Sequence, residues 1–178
     1  MTTTTTATTG DATPLGAERA DLLETLARHR WFLRQTLDGL TDEQAAATPT
    51  ASELCLGGLV KHVAITEAQW ADFAVRGPAA LEMDETSYEQ HALGFRVLEG
   101  ETVAGLLARY DEVAARTDEL VRTVDLDSAH PLPEAPWFEP GARWSVRRVL
   151  LHVVAETAQH AGHADILRES IDGRNSMG

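Results

Sequence analysis

The sequence predicts an all-α fold, a four-helix bundle formed by a single domain. Apolar residues recur at helical spacing in four long segments, and those segments are rich in the good helix formers Ala, Leu, Glu and Arg. Glycine and proline gather at the ends of the segments. With 178 residues, 43% of them hydrophobic, the chain can build one core. The connections between the second and third and between the third and fourth helices are long.

The first two long helices have clear ends. After the breaker at residues 13–16, the first helix shows an apolar face that stops near Gly39 and consists of Leu22, Leu23, Leu26, Leu33, Leu37 and Leu40. Residues 41–44 read Thr-Asp-Glu-Gln, which predicts a capping box for a short helical turn. The second long helix is predicted from about Ser52 or Leu56 to Arg76, where Gly77 and Pro78 end it.

The second half of the chain carries the other two long helices. The third begins near Thr102 and keeps helical spacing to Val124. Residues 125–143 hold four prolines, which excludes a regular helix and predicts a rigid aromatic loop. Ser145 is the predicted N-cap of the fourth helix, which we expect to reach about Ile171. Residues 79–100, acidic and irregular, form a connection of the kind that often covers a site.

These boundaries predict a domain over residues 17–173 with a tail at each end. Residues 1–16 form a Thr-rich N-terminal tail, which we expect to be disordered, and residues 174–178 form a C-terminal tail. The N-terminus lacks the basic start and apolar centre of a signal peptide, so the cytoplasm is the expected location.

Charge and composition argue against several classes of partner. The net charge is −13 and no Lys/Arg-rich run occurs, so we expect no nucleic-acid partner. No apolar run reaches the length that spans a membrane, so we expect no membrane partner either. Cys55 is the only cysteine, which excludes an internal disulfide.

Ionisable residues interrupt two of the apolar stripes. In the fourth helix the predicted inward stripe runs through Val149, Val153, Glu156, His160, His163 and Leu167. In the second it runs through Leu59, His62, Thr66, Trp70 and Phe73. Burying such groups unpaired costs several kcal/mol, so they need a compensating partner. A divalent metal ion is the simplest one.

Glu156 and His160 are four residues apart and can direct two ligand atoms at one point, with His62 as the third ligand. Two imidazoles and one carboxylate with an open fourth position are typical of catalytic zinc, although nickel, iron or manganese could occupy the same groups. Alternatively, Glu156 and His160 only hydrogen-bond each other or a neighbouring helix.

His163 is interpreted as a supporting group or proton carrier, with His62, His160 and His163 as the fallback ligand set. His152 is interpreted as a packing histidine.

Three stretches resemble the DinB superfamily: residues 57–62, Gly-Gly-Leu-Val-Lys-His; residues 144–147, Trp-Ser-Val-Arg; and residues 156–169, from Glu156 to Glu169. The chain is most similar to the actinobacterial branch that includes mycothiol-dependent S-transferases and, more distantly, the mycothiol-dependent maleylpyruvate isomerase. The resemblance covers roughly residues 18–173. It implies a DinB-like four-helix bundle with one divalent metal ion held by His62, Glu156 and His160. The commoner pair in the last helix is His and His; Glu156 matches the isomerase version, and His163 stands where many relatives have Gln.

The resemblance also implies a function. A low-molecular-weight thiol, mycothiol, would bind zinc through sulfur as a thiolate and attack a small electrophile. Trp137, Phe138 and Trp144 are candidates for an apolar wall around the substrate, or else anchors of the loop. Arg147 and its neighbour Arg148 are candidates for binding a carboxylate of thiol or substrate, or else solvated surface arginines.

Two other functions remain open from the sequence. One is a thiol-independent metal hydrolase, with His163 or Glu67 as the general base. The other is a non-catalytic metal-binding bundle, for example a stress-response binding module. The resemblance further implies a homodimer, for which apolar faces of the first or third long helix are candidates.

Overall fold

The computed structural model describes residues 15–82 and 92–176 and is mostly helical. The elements are α1 (Ala17–Gln35), α2 (Asp42–Ala46), α3 (Leu56–Arg76), a 3₁₀ turn (Pro78–Leu81), α4 (Val103–Thr123), β1 (Ala129–Pro131), β2 (Arg143–Ser145) and α5 (Val146–Asp172). The four long helices of the sequence prediction correspond to α1, α3, α4 and α5. The prediction of an all-α helical bundle is confirmed.

Local capping explains where the helices begin and end. The hydroxyls of Thr102 and Ser145 each accept a hydrogen bond of 3.1 Å from a backbone N–H three residues later, at the starts of α4 and α5. The capping box predicted at Thr41 is present at the start of α2. Gly77 ends α3 with φ of 73°, in the left-handed region that favours glycine. The sequence therefore predicted these helix ends to within a few residues.

The long helices surround two apolar clusters with a polar layer between them. α1 packs against α4 and α5, and α3 packs against the same two helices, so the four form a closed ring. One cluster includes Phe73 and Val149, and the other includes Leu33 and Leu59. Between the clusters each long helix contributes one buried polar residue, and these are Arg30, Glu67, Thr117 and Thr157. The bundle is thus polar at its middle.

The main contact in this layer is an ion pair between Arg30 of α1 and Glu67 of α3. Arg30 donates from Nε to Glu67 Oε2 at 3.2 Å and from Nη2 to Oε1 at 2.5 Å. Its Nη1 donates to Asp118 Oδ1 at 2.7 Å. A guanidinium this well paired satisfies the buried carboxylate, and the loss of either partner would leave a buried charge.

A small antiparallel ribbon leads into α5. β1 and β2 pair in the register Ala129↔Ser145, His130↔Trp144 and Pro131↔Arg143. The N–H of Val146 donates to the carbonyl of Ser128 at 2.9 Å and continues this contact into the helix. The sequence predicted a rigid aromatic loop without regular structure over residues 125–143, and the structure corrects this by placing β1 within that stretch and the start of β2 at its end. It fixes Trp144 and the start of α5.

Most of the predicted N-terminal tail, residues 1–14, and the last two residues of the C-terminal tail lie outside the described residues. So does part of the irregular connection, residues 83–91. Near the C-terminus, Ser176 donates to Asp165 from its N–H at 2.8 Å and from its hydroxyl at 2.7 Å. Within residues 15–82 and 92–176, the helices are too short or too polar to cross a membrane.

Candidate metal centre

His62 of α3 and the α5 residues Glu156 and His160 converge on one point. Each offers one ligand atom, and these atoms all lie within 4.8 Å of one another. His62 is buried, whereas Glu156 and His160 are partly buried at the edge of the core. The structure therefore brings together the three side chains that the sequence selected.

The spacing and chemistry of the three side chains fit a divalent ion. Oε2 of Glu156 lies 3.6 Å from Nε2 of His160, too long for a hydrogen bond. Two ligands bound to one tetrahedral zinc ion lie about 3.4 Å apart, because each bond is about 2.0–2.1 Å long. The wider separations, up to 4.8 Å, require the side chains to draw in around an ion. Nδ1 of His160 is also buried without a hydrogen-bond partner in the described structure.

Phe95 covers His62 from the connection that precedes α4. The two rings stack with centroids 3.8 Å apart and an interplanar angle of 20°. Thr66 Oγ1 lies 3.4 Å from His62 Nε2. The Phe95 backbone passes so close to α3 that a Cβ added to Gly58 would lie 1.9 Å from its carbonyl oxygen. Sequence reasoning missed Phe95, although two adjacent glycines in a helix are a signal of such a close approach.

His152 lies on the other side of Glu156. Its Nε2 is 3.8 Å from Glu156 Oε1, and its ring contacts Trp70 and Trp144 edge-on at 4.7 and 5.1 Å. Burial lowers the pKa of His152, Glu156 opposes the shift and Arg148 adds to it. The packing role predicted for His152 is therefore only part of its environment, since it also neighbours a site carboxylate. The signal was its position four residues before Glu156.

The electrostatic environment of His160 favours its neutral form. Burial lowers the pKa of His160, and the nearby His163 adds a smaller effect in the same direction. A neutral imidazole is the form that coordinates metal, so His160 need not lose a proton first near neutral pH.

His163 does not lie on the inward face, and that part of the prediction is wrong. Its side chain is exposed, and Ala164 takes the inner position. The buried stripe of α5 runs through Val153, Thr157, Ala161 and Ala164. His163 precedes Ala164 by one position, which turns its side chain about 100° away from the core. The ring of His163 still contacts His160 edge-on at 5.6 Å, but His163 is outside the group of three converging residues.

Two further candidates have other partners. Arg147 is paired with Glu18 at the start of α1 and with Asp127 in the connection before β1, so its charge holds elements together instead of facing a substrate. Glu67 is fully buried in its ion pair with Arg30, which makes it unsuitable as the general base of a hydrolase. Both sequence interpretations are corrected on this ground.

The three aromatic candidates form a series of ring contacts that begins at His152, next to Glu156. Trp144 stacks on Trp70 with centroids 4.8 Å apart and contacts His152. Phe138 packs against Trp144 at 5.9 Å, and Trp137 contacts Phe138 at 6.1 Å. Trp137 is 66% exposed. Of the three, Trp144 is the one that contacts a neighbour of Glu156.

Comparisons with known proteins agree with the sequence resemblance. Residues 21–173 match the model of a family described as mycothiol-S-transferase. The chain belongs to this family. The resemblance to its branch of the DinB superfamily is thereby confirmed for this mycothiol S-transferase family member.

The fold of this family member also occurs in a solved structure. A crystal structure of a "conserved protein of locus from Enterococcus faecalis" is similar with a TM-score of 0.59, and the match covers 87% of this chain and 97% of that one. The two are 17% identical, so the likeness shows the fold alone. No curated protein matches the chain.

Proposed function

We propose that this protein transfers a low-molecular-weight thiol, mycothiol, to a small electrophile at a metal centre formed by His62, Glu156 and His160. The observation that carries the proposal is the convergence of these three side chains within 4.8 Å in a chain of the mycothiol S-transferase family. The family supports thiol transfer, and the donor set supports a metal ion with a free position.

The donor set favours zinc, because two imidazoles and one carboxylate are common ligands of catalytic zinc; nickel, iron and manganese are the alternatives. An ion in this position would stabilise the anionic form of a thiol, so that a thiolate is available near neutral pH. Such a thiol must be kept reduced, which agrees with a cytoplasmic location.

In the proposed reaction the thiol sulfur forms a bond to the electrophilic carbon. The bond to the leaving group breaks, and the thiol proton ends on the leaving group or on solvent. The protein contributes orientation and exclusion of water. Phe95 shields one face of His62, and the stacked pair of Trp70 and Trp144 supplies an apolar wall beside His152. We infer that the electrophile lies against Trp144.

The test combines metal analysis with a thiol-dependent assay. Protein purified without added metal, then loaded with zinc, is given a fluorogenic electrophile with mycothiol, with glutathione, or with no thiol. We expect one bound ion per chain and conjugation that requires both zinc and mycothiol. The variants His62→Ala and His160→Ala should lose the ion and the activity together.

His29→Ala is the matched control, because His29 lies on α1 beside Phe32 and is not part of the group of three. It should keep both the ion and the activity. Turnover without thiol would support a metal hydrolase, and a retained ion with no turnover across electrophiles would support a binding module. An ion retained in full by His62→Ala would remove that residue from the site.

A further inference from the structure

The outward face of α5 is uncharged over most of its length, in a chain whose net charge is −13. Its exposed residues between Arg148 and Glu169 are Leu151, Ala155, Gln159, Gly162, His163 and Ile166. Leu151 and Ile166 are 51% and 59% exposed, although both are large and apolar. Two copies of so acidic a chain repel each other, and this face is where they can approach with least repulsion.

Gly162 gives a second observation on the same face. Glycine inside a helix costs about 0.5–1 kcal/mol relative to alanine, so it usually has a packing reason. A Cβ at Gly162 would meet no atom within 4 Å, whereas Cβ atoms at Gly57 and Gly58 of α3 would clash. Packing within the chain therefore explains the glycines of α3 but not Gly162. A backbone approaching from outside would explain it.

The order of residues along this face is self-complementary. The midpoint lies between Ala158 and Gln159, and three pairs are equally distant from it: Arg148 and Glu169, Leu151 and Ile166, Ala155 and Gly162. If two α5 helices lie antiparallel about a two-fold axis at this midpoint, large apolar residues meet large ones and small residues meet small ones. Arg148 then lies opposite the partner's Glu169, and the pair occurs twice.

We propose that a second copy of this chain docks here, α5 against α5, in an antiparallel homodimer. The sequence had suggested the first or third long helix as the dimer face. About eight residues per copy take part, fewer than the roughly 20–30 of a standard stable interface, so the dimer should be weak and dissociate on dilution in the micromolar range. The inference is independent of the metal and of the thiol.

Sedimentation velocity over a concentration series of about 1–500 µM tests the proposal. Gly162→Gln places a bulky, uncharged side chain at the close contact while leaving the monomer room for it, and should weaken the dimer at least 10-fold. Arg148→Glu sets two carboxylates against each other at both ends and should weaken it similarly. The double variant Arg148→Glu with Glu169→Arg should recover most of the affinity.

Arg122→Glu is the control, because it makes the same change of charge at an exposed position of α4. It should leave the dissociation constant within about 2-fold of wild type. Circular dichroism tests whether each variant is folded. If Gly162→Gln is not folded, Arg148→Glu and its double variant with Glu169→Arg decide the outcome. A monomer at every concentration overturns the proposal. The proposal is also overturned if Gly162→Gln and Arg148→Glu both raise the dissociation constant no more than Arg122→Glu does.

Discussion

Replacing Gly58 by alanine should disturb the metal centre although the residue does not belong to it. Gly58 lies one turn before His62 on α3, where the backbone of Phe95 crosses the helix. A Cβ at this position would be 1.9 Å from the Phe95 carbonyl oxygen, 2.4 Å from its carbon and 2.9 Å from the sulfur of Cys55. Two of these atoms are backbone, so a side-chain rotation cannot relieve the clash.

The size of the effect follows from three contributions. Alanine instead of glycine inside a helix contributes about 0.5–1 kcal/mol of stability. Forcing extra volume into a packed contact costs about 1–3 kcal/mol. Moving Phe95 away from the His62 ring loses about 0.5–1.5 kcal/mol of aromatic stacking. The net expectation is a loss of about 0.5–4 kcal/mol in the free energy of unfolding. Zinc affinity should also be about 10-fold lower, because His62 loses the ring that packs against it.

Urea denaturation of the metal-free protein and zinc titration measure the two effects. Gly162→Ala is the matched control at concentrations below about 1 µM, where the chain is monomeric. The same substitution in α5 then meets open space and should stabilise the chain by about 0.5–1 kcal/mol. The two variants should therefore differ in sign. If Gly58→Ala proves as stable as wild type and binds zinc equally well, the close approach does not position Phe95 over His62 and the reasoning is refuted.

Three further results are expected. Glu67→Gln should lower the free energy of unfolding by about 3–5 kcal/mol in urea denaturation, because the buried charge of Arg30 would have only Asp118 as a partner. Adding Arg30→Met should recover much of this loss. Because folding lowers the pKa values of His152 and His160, the unfolded chain binds more protons than the folded chain below about pH 6.5. The Tm of the metal-free protein should therefore fall as pH drops through that value. A Tm that stays constant between pH 7 and 5 would contradict this. Trp144→Ala should raise KM for an apolar electrophile several-fold while zinc stays bound. Loss of the ion in this variant would show that Trp144 supports the structure of the metal centre and does not bind the electrophile.

Local signals were enough to predict the helices. Thr102 and Ser145 are short polar residues in front of apolar periodic segments, and their hydroxyls do cap α4 and α5. Gly77 followed by proline predicted the end of α3, and glycine is required there by the positive φ. The convergence of His62 with Glu156 and His160 was predictable for a related reason, because polar residues within an apolar stripe must find partners across the core.

Contacts made by irregular segments could not be predicted in this way. Phe95 lies in a stretch without periodicity, so nothing local indicates that it stacks on His62. The ribbon before α5 pairs only three residues per strand and contains Pro131, which obscures a strand signal. The sequence partly indicated the ion pair between Arg30 and Glu67, because each residue occupies a core position on its helix. Two opposite charges at core positions predict an ion pair, which would have corrected the role given to Glu67.

The positions of the three site residues along the chain have a consequence for folding. His62 lies near the start of α3, and Glu156 and His160 lie together on α5. Roughly 95 residues of chain therefore separate His62 from Glu156. An ion coordinated by all three side chains would act as a removable cross-link that closes this loop. By the chain-entropy argument used for disulfides, such a closure is worth about 4–5 kcal/mol at 25 °C, comparable to the whole stability margin of a small domain. A chelator would then lower the free energy of unfolding by a similar amount and leave the metal-free chain only marginally stable.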